Sequence, residues 1–406
     1  MTENSVVNEL NILAQNACRS GIKAAFSIDF SVGESVSLIT EIAKKCAPFG
    51  KVALLYFKNQ YDLFGSRLAT ALKSNKNKVT HVVLPANFSD TVENYSHLFN
   101  LAEDTRLIVC LDNRLINATK YFANVRKIDC AFLLSSLSAV GCLSSNVVFK
   151  NGNKFDSISF EGGMHLLLDA NILNDKQGLA SVYAFVCSNS LGLIDYRINA
   201  FLTNKTINKA VYQTVSNAVV KTYPIFSFNK KEQSLILVDG FFRVELANAI
   251  SYGNLYKNYA HLWSVNAFNS KNVGADALIC AFLTAKVYAL YFSGKFDSIL
   301  HTPDFNQRAE FISKALNVSE QEVLQTIVNQ ENFFVKDGKI KNMIAKLIKD
   351  LNSFIGCYSF MKNAFHALGG EFSCSPEKLA PFIKHSGDLN VNGMTLTRDS
   401  GITEII

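Results

Sequence analysis

What most restricts this chain is a change of rhythm near residue 160. Before it, short β-rich runs alternate with helical patterns; after it, strand signals nearly vanish. The runs AAFSIDF (24–30), KVALLYF (51–57), KVTHVVLP (78–85), RLIVCL (106–111) and DCAFLLS (129–135) are separated by helical spacing near 34–46, 60–74, 89–102 and 114–126. Strands spaced by helices of that length need crossover connections, which predicts a parallel, doubly wound sheet. The stretch NVVFKNGNKFDSISF (146–160) alternates apolar and polar residues about Asn151-Gly152 and predicts an antiparallel hairpin. Helical patterns follow at 178–202, 206–222, 231–252, 255–268, 272–293, 306–316, 319–331, 339–368 and 376–386. The expected fold is an α/β N-terminal domain of Rossmann-like type over residues 1–160, then a mostly α-helical domain over 161–406. Gly162-Gly163-Met164-His165 reads as the hinge between them.

The length agrees with that division, since 406 residues exceed what one ordinary core encloses. Basic residues outnumber acidic ones 40 to 34, scattered without a block of one sign, so no nucleic-acid partner is expected. The longest apolar stretch, 273–292, carries Asp276 and Lys286 inside it, which predicts a buried helix and no membrane partner. Ile340, Met343, Ile344, Leu347 and Ile348 form one stripe with lysines opposite, a helix packing on its own domain. Nine cysteines include no CxxC pair and read as buried thiols of a reducing compartment. The start MTENSVVNEL lacks the basic-then-apolar pattern of a signal peptide, so a cytoplasmic location is expected. A 49% apolar composition makes a homo-oligomer the expected state.

The segment IVCLDNRLINATKYFA (108–123) has the build of strand, tight turn and helix, the junction where a dinucleotide's phosphates sit in α/β proteins. It contains no glycine. Asp112 or Asn113 is expected to cap the helix with a side-chain oxygen, in place of a phosphate. Ser135, Ser136, Ser138, Ser144 and Ser145 form a hydroxyl-rich patch after the next strand. With neither a nearby histidine nor a Gly-x-Ser-x-Gly elbow, they read as turn and cap residues.

The order of these features resembles the dehydroquinate synthase-like superfamily, which includes the iron-containing alcohol dehydrogenases, and within it glycerol-1-phosphate dehydrogenase most. The likeness spans about residues 24 to 396 as a pattern of spacing more than of identity. That family's Gly-x-Gly-Gly-Gly phosphate turn resembles Val109-Cys110-Leu111-Asp112-Asn113, with Asn117 and Lys120 on the helix after it. Its Pro-Thr-x-x-Ser-x-Asp-Gly-x-x-Ser segment is similar to Leu134 through Ser144, which includes Ser135 and Ser138. Its Asp-x-x-x-Leu lead-in resembles Asp169 to Leu173, and its Asp-Trp dipeptide resembles Asp195-Tyr196.

The resemblance implies a metal held by one Asp and two His, which polarises the substrate hydroxyl. At the matching positions stand Ser181, Lys257 and a residue near Asn269, with His261 the one histidine between 202 and 300. Ser, Lys⁺ and Asn lack the charge and the borderline-soft donors that hold Zn²⁺ or Fe²⁺. The family's terminal arginine segment resembles Asn390 to Met394. These coordinated losses lead to the expectation of a pseudoenzyme with no metal and no cofactor, kept for binding or regulation. The alternative is a divergent oxidoreductase or lyase acting on a small polyol, sugar or sugar phosphate in an interdomain cleft, with NAD(P) and a divalent metal. Candidate cleft residues are Ser181, Lys257, His261, Asn269 and Asp195, and the degenerate cofactor positions are Asp112, Asn113, Lys120, Ser135 and Ser138. A small phosphorylated or polyol ligand is the expected partner.

Overall fold

The structure is a computed structural model that describes residues 2–19, 28–96, 98, 101, 103–134, 136–137, 141–144, 146–151, 154–202, 206–250, 272–293, 304–316, 319–328 and 341–379. The chain divides into two compact units, Met1–Asp175 and Lys176–Ile406.

In the first unit, helix α1 (Glu3–Arg19) precedes β1 (Ile28–Gly33) and α2 (Ser35–Cys46). Then come β2 (Lys51–Phe57), a single α-helical turn Lys58–Gln60 running into the π-helical turn Tyr61–Gly65, α3 (Ser66–Ser74), β3 (Lys78–Leu84), α4 (Val92–Ser96) and β4 (Thr105–Cys110). A 3-10 turn Asn113–Leu115 leads into α5 (Ile116–Arg126), followed by β5 (Asp129–Leu134), β6 (Asn146–Asn151), β7 (Lys154–Ser159) and β8 (Met164–Asp169). Six strands form one parallel sheet in the order β1-β8-β5-β4-β2-β3, while β6 and β7 pair separately as the antiparallel hairpin.

Strand β2 is buried along nearly its whole length, the reason it reads as an unbroken apolar run. Val52, Leu54, Tyr56, Val109, Ala131, Leu133 and Leu167 share one sheet face, packed by Leu38, Ile39, Ile42 and Ala43 of α2 and by Leu68 and Leu72 of α3. Helix α5 packs on β4 and β5. Each fully buried leucine there contributes about 1.5–3 kcal/mol over an exposed one.

Two elements depart from the sequence reading. Residues 164–169 form a strand in the interior of the sheet, between β1 and β5, so the first unit runs past residue 160 to Asp175. A six-residue apolar run such as MHLLLD carries no period that separates strand from helix, and only pairing on both sides reveals it. Gly162-Gly163 is therefore no hinge: the Gly163 carbonyl accepts from Cys130 N–H at 3.0 Å as the chain enters β8. Helix α1 was also unanticipated. Its Asn11 side chain donates to Phe30 O (3.1 Å) and accepts from Phe30 N–H (2.7 Å), pairing the outer edge of β1 as a neighbouring strand would.

The regular elements described in the second unit are all helices: α6 (Lys176–Leu202), α7 (Lys209–Thr222), α8 (Lys230–Ile250), α9 (Val273–Phe292), α10 (Phe305–Leu316), α11 (Glu320–Val328) and α12 (Lys341–Ala367). Helix α6 touches α7, α8, α9 and α12, which explains why it is apolar on every side. By length and composition, two described helices, over Lys176–Ile198 and Val273–Leu290, would be long and apolar enough to cross a membrane, and both are largely buried among their neighbours. Helix α12 packs on α6 and α9, and Leu347 of its apolar stripe is buried. The expected helix over 255–268 lies outside the described residues.

Candidate functional site

The sheet order locates the crevice. From β2 the chain crosses to β3 on one side, whereas β4 lies on the other, so the order reverses between β2 and β4. Ligands of open α/β sheets bind at the carboxyl ends of strands at such a point. Here those ends carry Phe57, Gln60, Asp112 and Arg114.

Asp112 fills the turn. Its carboxylate accepts from Arg114 N–H at 3.0 Å and so caps the 3-10 turn that opens α5. It also accepts from Gln60 Nε2 at 2.6 Å and from the Arg114 guanidinium at 2.9 and 3.1 Å. Gln60 in turn accepts from Phe57 N–H at 3.0 Å, and the Arg114 guanidinium lies 4.0 Å from the centre of the Phe57 ring. The pairing with Asp112 raises the Arg114 pKa above its ordinary value. Leu111 and Leu115 are buried on either side of the turn.

The two following polar residues brace a loop. Asn113 Nδ2 donates to Ser136 O at 3.0 Å. Lys120, wholly buried on α5, donates from Nζ to Ser144 O at 3.0 Å and lies 5.9 Å from the centre of the Phe132 ring. Asn117 donates to the Asp90 carboxylate at 2.9 Å. Ser135 and Ser138 lie outside the described residues.

A pyrophosphate cradle needs unoccupied N–H groups and no side chain between them and the ligand. At this turn an N–H at the helix entrance is taken by Asp112, and a carboxylate stands where an anion would come. The residues present therefore do not fit a pyrophosphate as a glycine turn does. Sequence reasoning anticipated the cap but missed Gln60 and Arg114. The Arg two residues after Asp112 was a visible signal, whereas Gln60 is 52 residues away and is brought in by the β2–β4 pairing.

In the second unit, Ser181 is buried on α6, and its hydroxyl accepts from Gly274 N–H at 3.1 Å. The helices touch so closely there that a Cβ at residue 274 would stand 1.8 Å from the Ser181 carbonyl oxygen. A neutral hydroxyl spent on helix packing does not fit the carboxylate role of a metal ligand. Asp195 is buried on the same helix, 14 residues or about 21 Å further along, so Ser181 and Asp195 do not converge. Lys257, His261, Asn269 and the segment from Asn390 lie outside the described residues.

The second unit also holds a cavity of about 450 Å³ between α6, α7 and α12. Ser190, Tyr212, Ser216 and Ser353 give it polar points, and Arg197 Nη2 pairs with Asp350 at 2.5 Å in its wall. No part of the sequence reading pointed to it, because its walls come from three separate helices.

No family model matches the chain, and no curated protein matches it in sequence. Solved structures do match. Glycerol dehydrogenase from Schizosaccharomyces pombe superposes with a TM-score of 0.52 at 14% identity, covering 82% of this chain and 91% of that one. The iron-containing alcohol dehydrogenase of Thermotoga maritima gives a TM-score of 0.53 at 10% identity, covering 93% and 96%. Sulfoacetaldehyde reductase from Bifidobacterium kashiwanohense, solved in complex with NAD⁺, gives 0.53 at 13% identity, also covering 93% and 96%. These findings correct the expectation of no cofactor. The fold is shared with a protein solved with NAD⁺ and with one named for its iron. Parallel α/β sheet followed by helical bundle, the chain has the fold of the iron-containing alcohol dehydrogenases.

Proposed function

We propose that this chain keeps the iron-containing alcohol dehydrogenase scaffold for binding or regulation and does not transfer hydride. The observation that carries this reading is the Asp112 network, which closes the turn at the switch point with the chain's own side chains. The Ser181 hydroxyl, engaged in helix packing at the position that resembles a metal ligand, supports it. The proposal denies hydride transfer only; a nucleotide held by groups other than this turn is compatible with it. The cavity lined by Arg197 and Tyr212 has a size suited to a small organic ligand with a few polar groups.

A second reading, a divergent oxidoreductase acting on a small polyol, is favoured by the fold shared with glycerol dehydrogenase. The finer likeness to glycerol-1-phosphate dehydrogenase rests on the sequence pattern alone. One experiment separates the two readings. Purified full-length protein, supplied anaerobically with Zn²⁺ or Fe²⁺, is assayed for NAD(P)H formation with glycerol, 1,3-propanediol and glycerol 1-phosphate. The noncatalytic reading expects no rate above the protein-free control; turnover with any pair sinks it.

A further inference from the structure

At the opposite end of the sheet, three residues far apart in sequence come together: Cys46, Asp129 and His165. The strand pattern explains their convergence. On β5, Asp129 has the same parity as Ala131 and Leu133, and on β8 His165 has the same parity as Leu167; these three apolar residues pack in the cluster under α2. On α2, Cys46 continues the stripe of Ile39, Ile42 and Ala43 that faces the same sheet surface. Because β5 and β8 are neighbours, paired with Ala131 beside His165, the carboxylate and the imidazole share the sheet face that the last turn of α2 covers.

Cys46 Sγ lies 3.2 Å from His165 Nε2, and one donor atom from each of the three residues lies within 4.8 Å of the other two. A tetrahedral Zn²⁺ with bonds of about 2.3 Å to sulfur and about 2.1 Å to nitrogen holds those ligands roughly 3.6 Å apart, so a small opening of the Cys46–His165 contact admits the ion. His165 is 5% exposed, whereas Cys46 and Asp129 are partly exposed and give solvent a way in.

We propose that Cys46, Asp129 and His165 form a binding site for a thiophilic divalent cation of the Zn²⁺ type, separate from both positions discussed above. On binding, the Cys46 thiol gives its proton to solvent and a metal–sulfur bond forms, while His165 remains neutral. One thiolate and one carboxylate then balance the dication's two charges. Three protein ligands leave the fourth position to water. Cys46 is the last residue of α2, where the helix carbonyls present partial negative charge. That end favours a bound cation and disfavours a bare thiolate, which separates this site from a nucleophilic Cys–His pair, since reactive thiolates are found at helix amino ends.

The test uses reduced, chelator-treated full-length protein titrated with Co²⁺. The expected result is a thiolate-to-cobalt charge-transfer band and tetrahedral visible bands that saturate at one equivalent and are displaced by Zn²⁺. Cys46→Ser abolishes the charge-transfer band, and Asp129→Asn weakens binding by roughly 10–100-fold or more, as losing even an outer-shell partner does. No band in the wild-type protein, or a band that survives Cys46→Ser, overturns the proposal. Should Cys46→Ser fail to fold, the wild type still decides. Saturating Zn²⁺ slows maleimide labelling of the Cys46 peptide, read by mass spectrometry, and an unchanged labelling rate refutes the site.

Discussion

Replacing Asp112 tests the claim that the turn after β4 is closed for structural reasons. In Asp112→Ala the cap of the 3-10 turn that leads into α5 disappears, which costs about 1 kcal/mol. Gln60 Nε2 loses a charged acceptor at 2.6 Å, and a charge-assisted bond of that kind is worth about 1.5–3 kcal/mol. The Arg114 side chain is 59% exposed, so its ion pair adds almost nothing in water. The expected loss is therefore about 2.5–4 kcal/mol, placed in the first unit. Asp112→Asn keeps an oxygen for the Arg114 N–H but turns an amide NH2 toward Gln60 Nε2, so it recovers the cap, about 1 kcal/mol, and not the rest. Urea unfolding followed by far-UV circular dichroism gives the global change. Hydrogen exchange read by mass spectrometry over residues 113–126 shows whether the first turn of α5 is what opens. A carboxylate retained for ligand chemistry behaves in the opposite way, since such groups are held at some cost to stability. An Asp112→Ala protein as stable as wild type, or more so, with unchanged exchange in α5, refutes the capping argument.

Three further outcomes follow from the same structure. Gly274→Ala forces a Cβ to within 1.8 Å of the Ser181 carbonyl, so α6 and α9 have to part; a loss of about 3 kcal/mol or more is expected in thermal melts, and an unchanged Tm contradicts the close contact. Asp90 accepts from Tyr95 OH and Asn117, but burial raises its carboxyl above the ordinary 3.8. The folded state then holds the proton more tightly than the unfolded one, so this group's contribution is full below pH 3.8 and is lost as pH rises through the raised value. Asp90→Asn should flatten that fall, and a stability-versus-pH curve that keeps its shape counts against the assignment. A double-mutant cycle on Arg197→Ala and Asp350→Ala, side chains 15% and 35% exposed, should give a coupling of about 1 kcal/mol, and a coupling of zero removes the ion pair from the cavity wall.

Much of the fold was legible in the chain because its signals are local. KVALLYF, KVTHVVLP, RLIVCL and DCAFLLS match β2 to β5 to within a residue or two, since β-rich runs with helices between them leave few other arrangements. The hairpin at 146–159 was legible from its alternation. The helix expected over 89–102 is described only as the short α4, where Thr91 O accepts from Tyr95 N–H and the Thr91 hydroxyl accepts from Asn94 N–H. Strand β8 was missed, and with it the true extent of the first unit.

At the sites, the line between the two kinds of information is sharper. The sequence by itself determined that no glycine turn follows β4, that Asp112 stands where it can cap α5, and that a serine occupies position 181; chain chemistry over a few residues is enough for each. Only the tertiary structure decided that Gln60 reaches Asp112, that Ser181 is spent on Gly274, and that Cys46, Asp129 and His165 meet. Strand parity and helical stripe place each of the last three on a face, but which strands become neighbours is set by packing the whole sheet. The β1-β8-β5 order, which sets residue 165 beside residue 131, cannot be read from either segment alone.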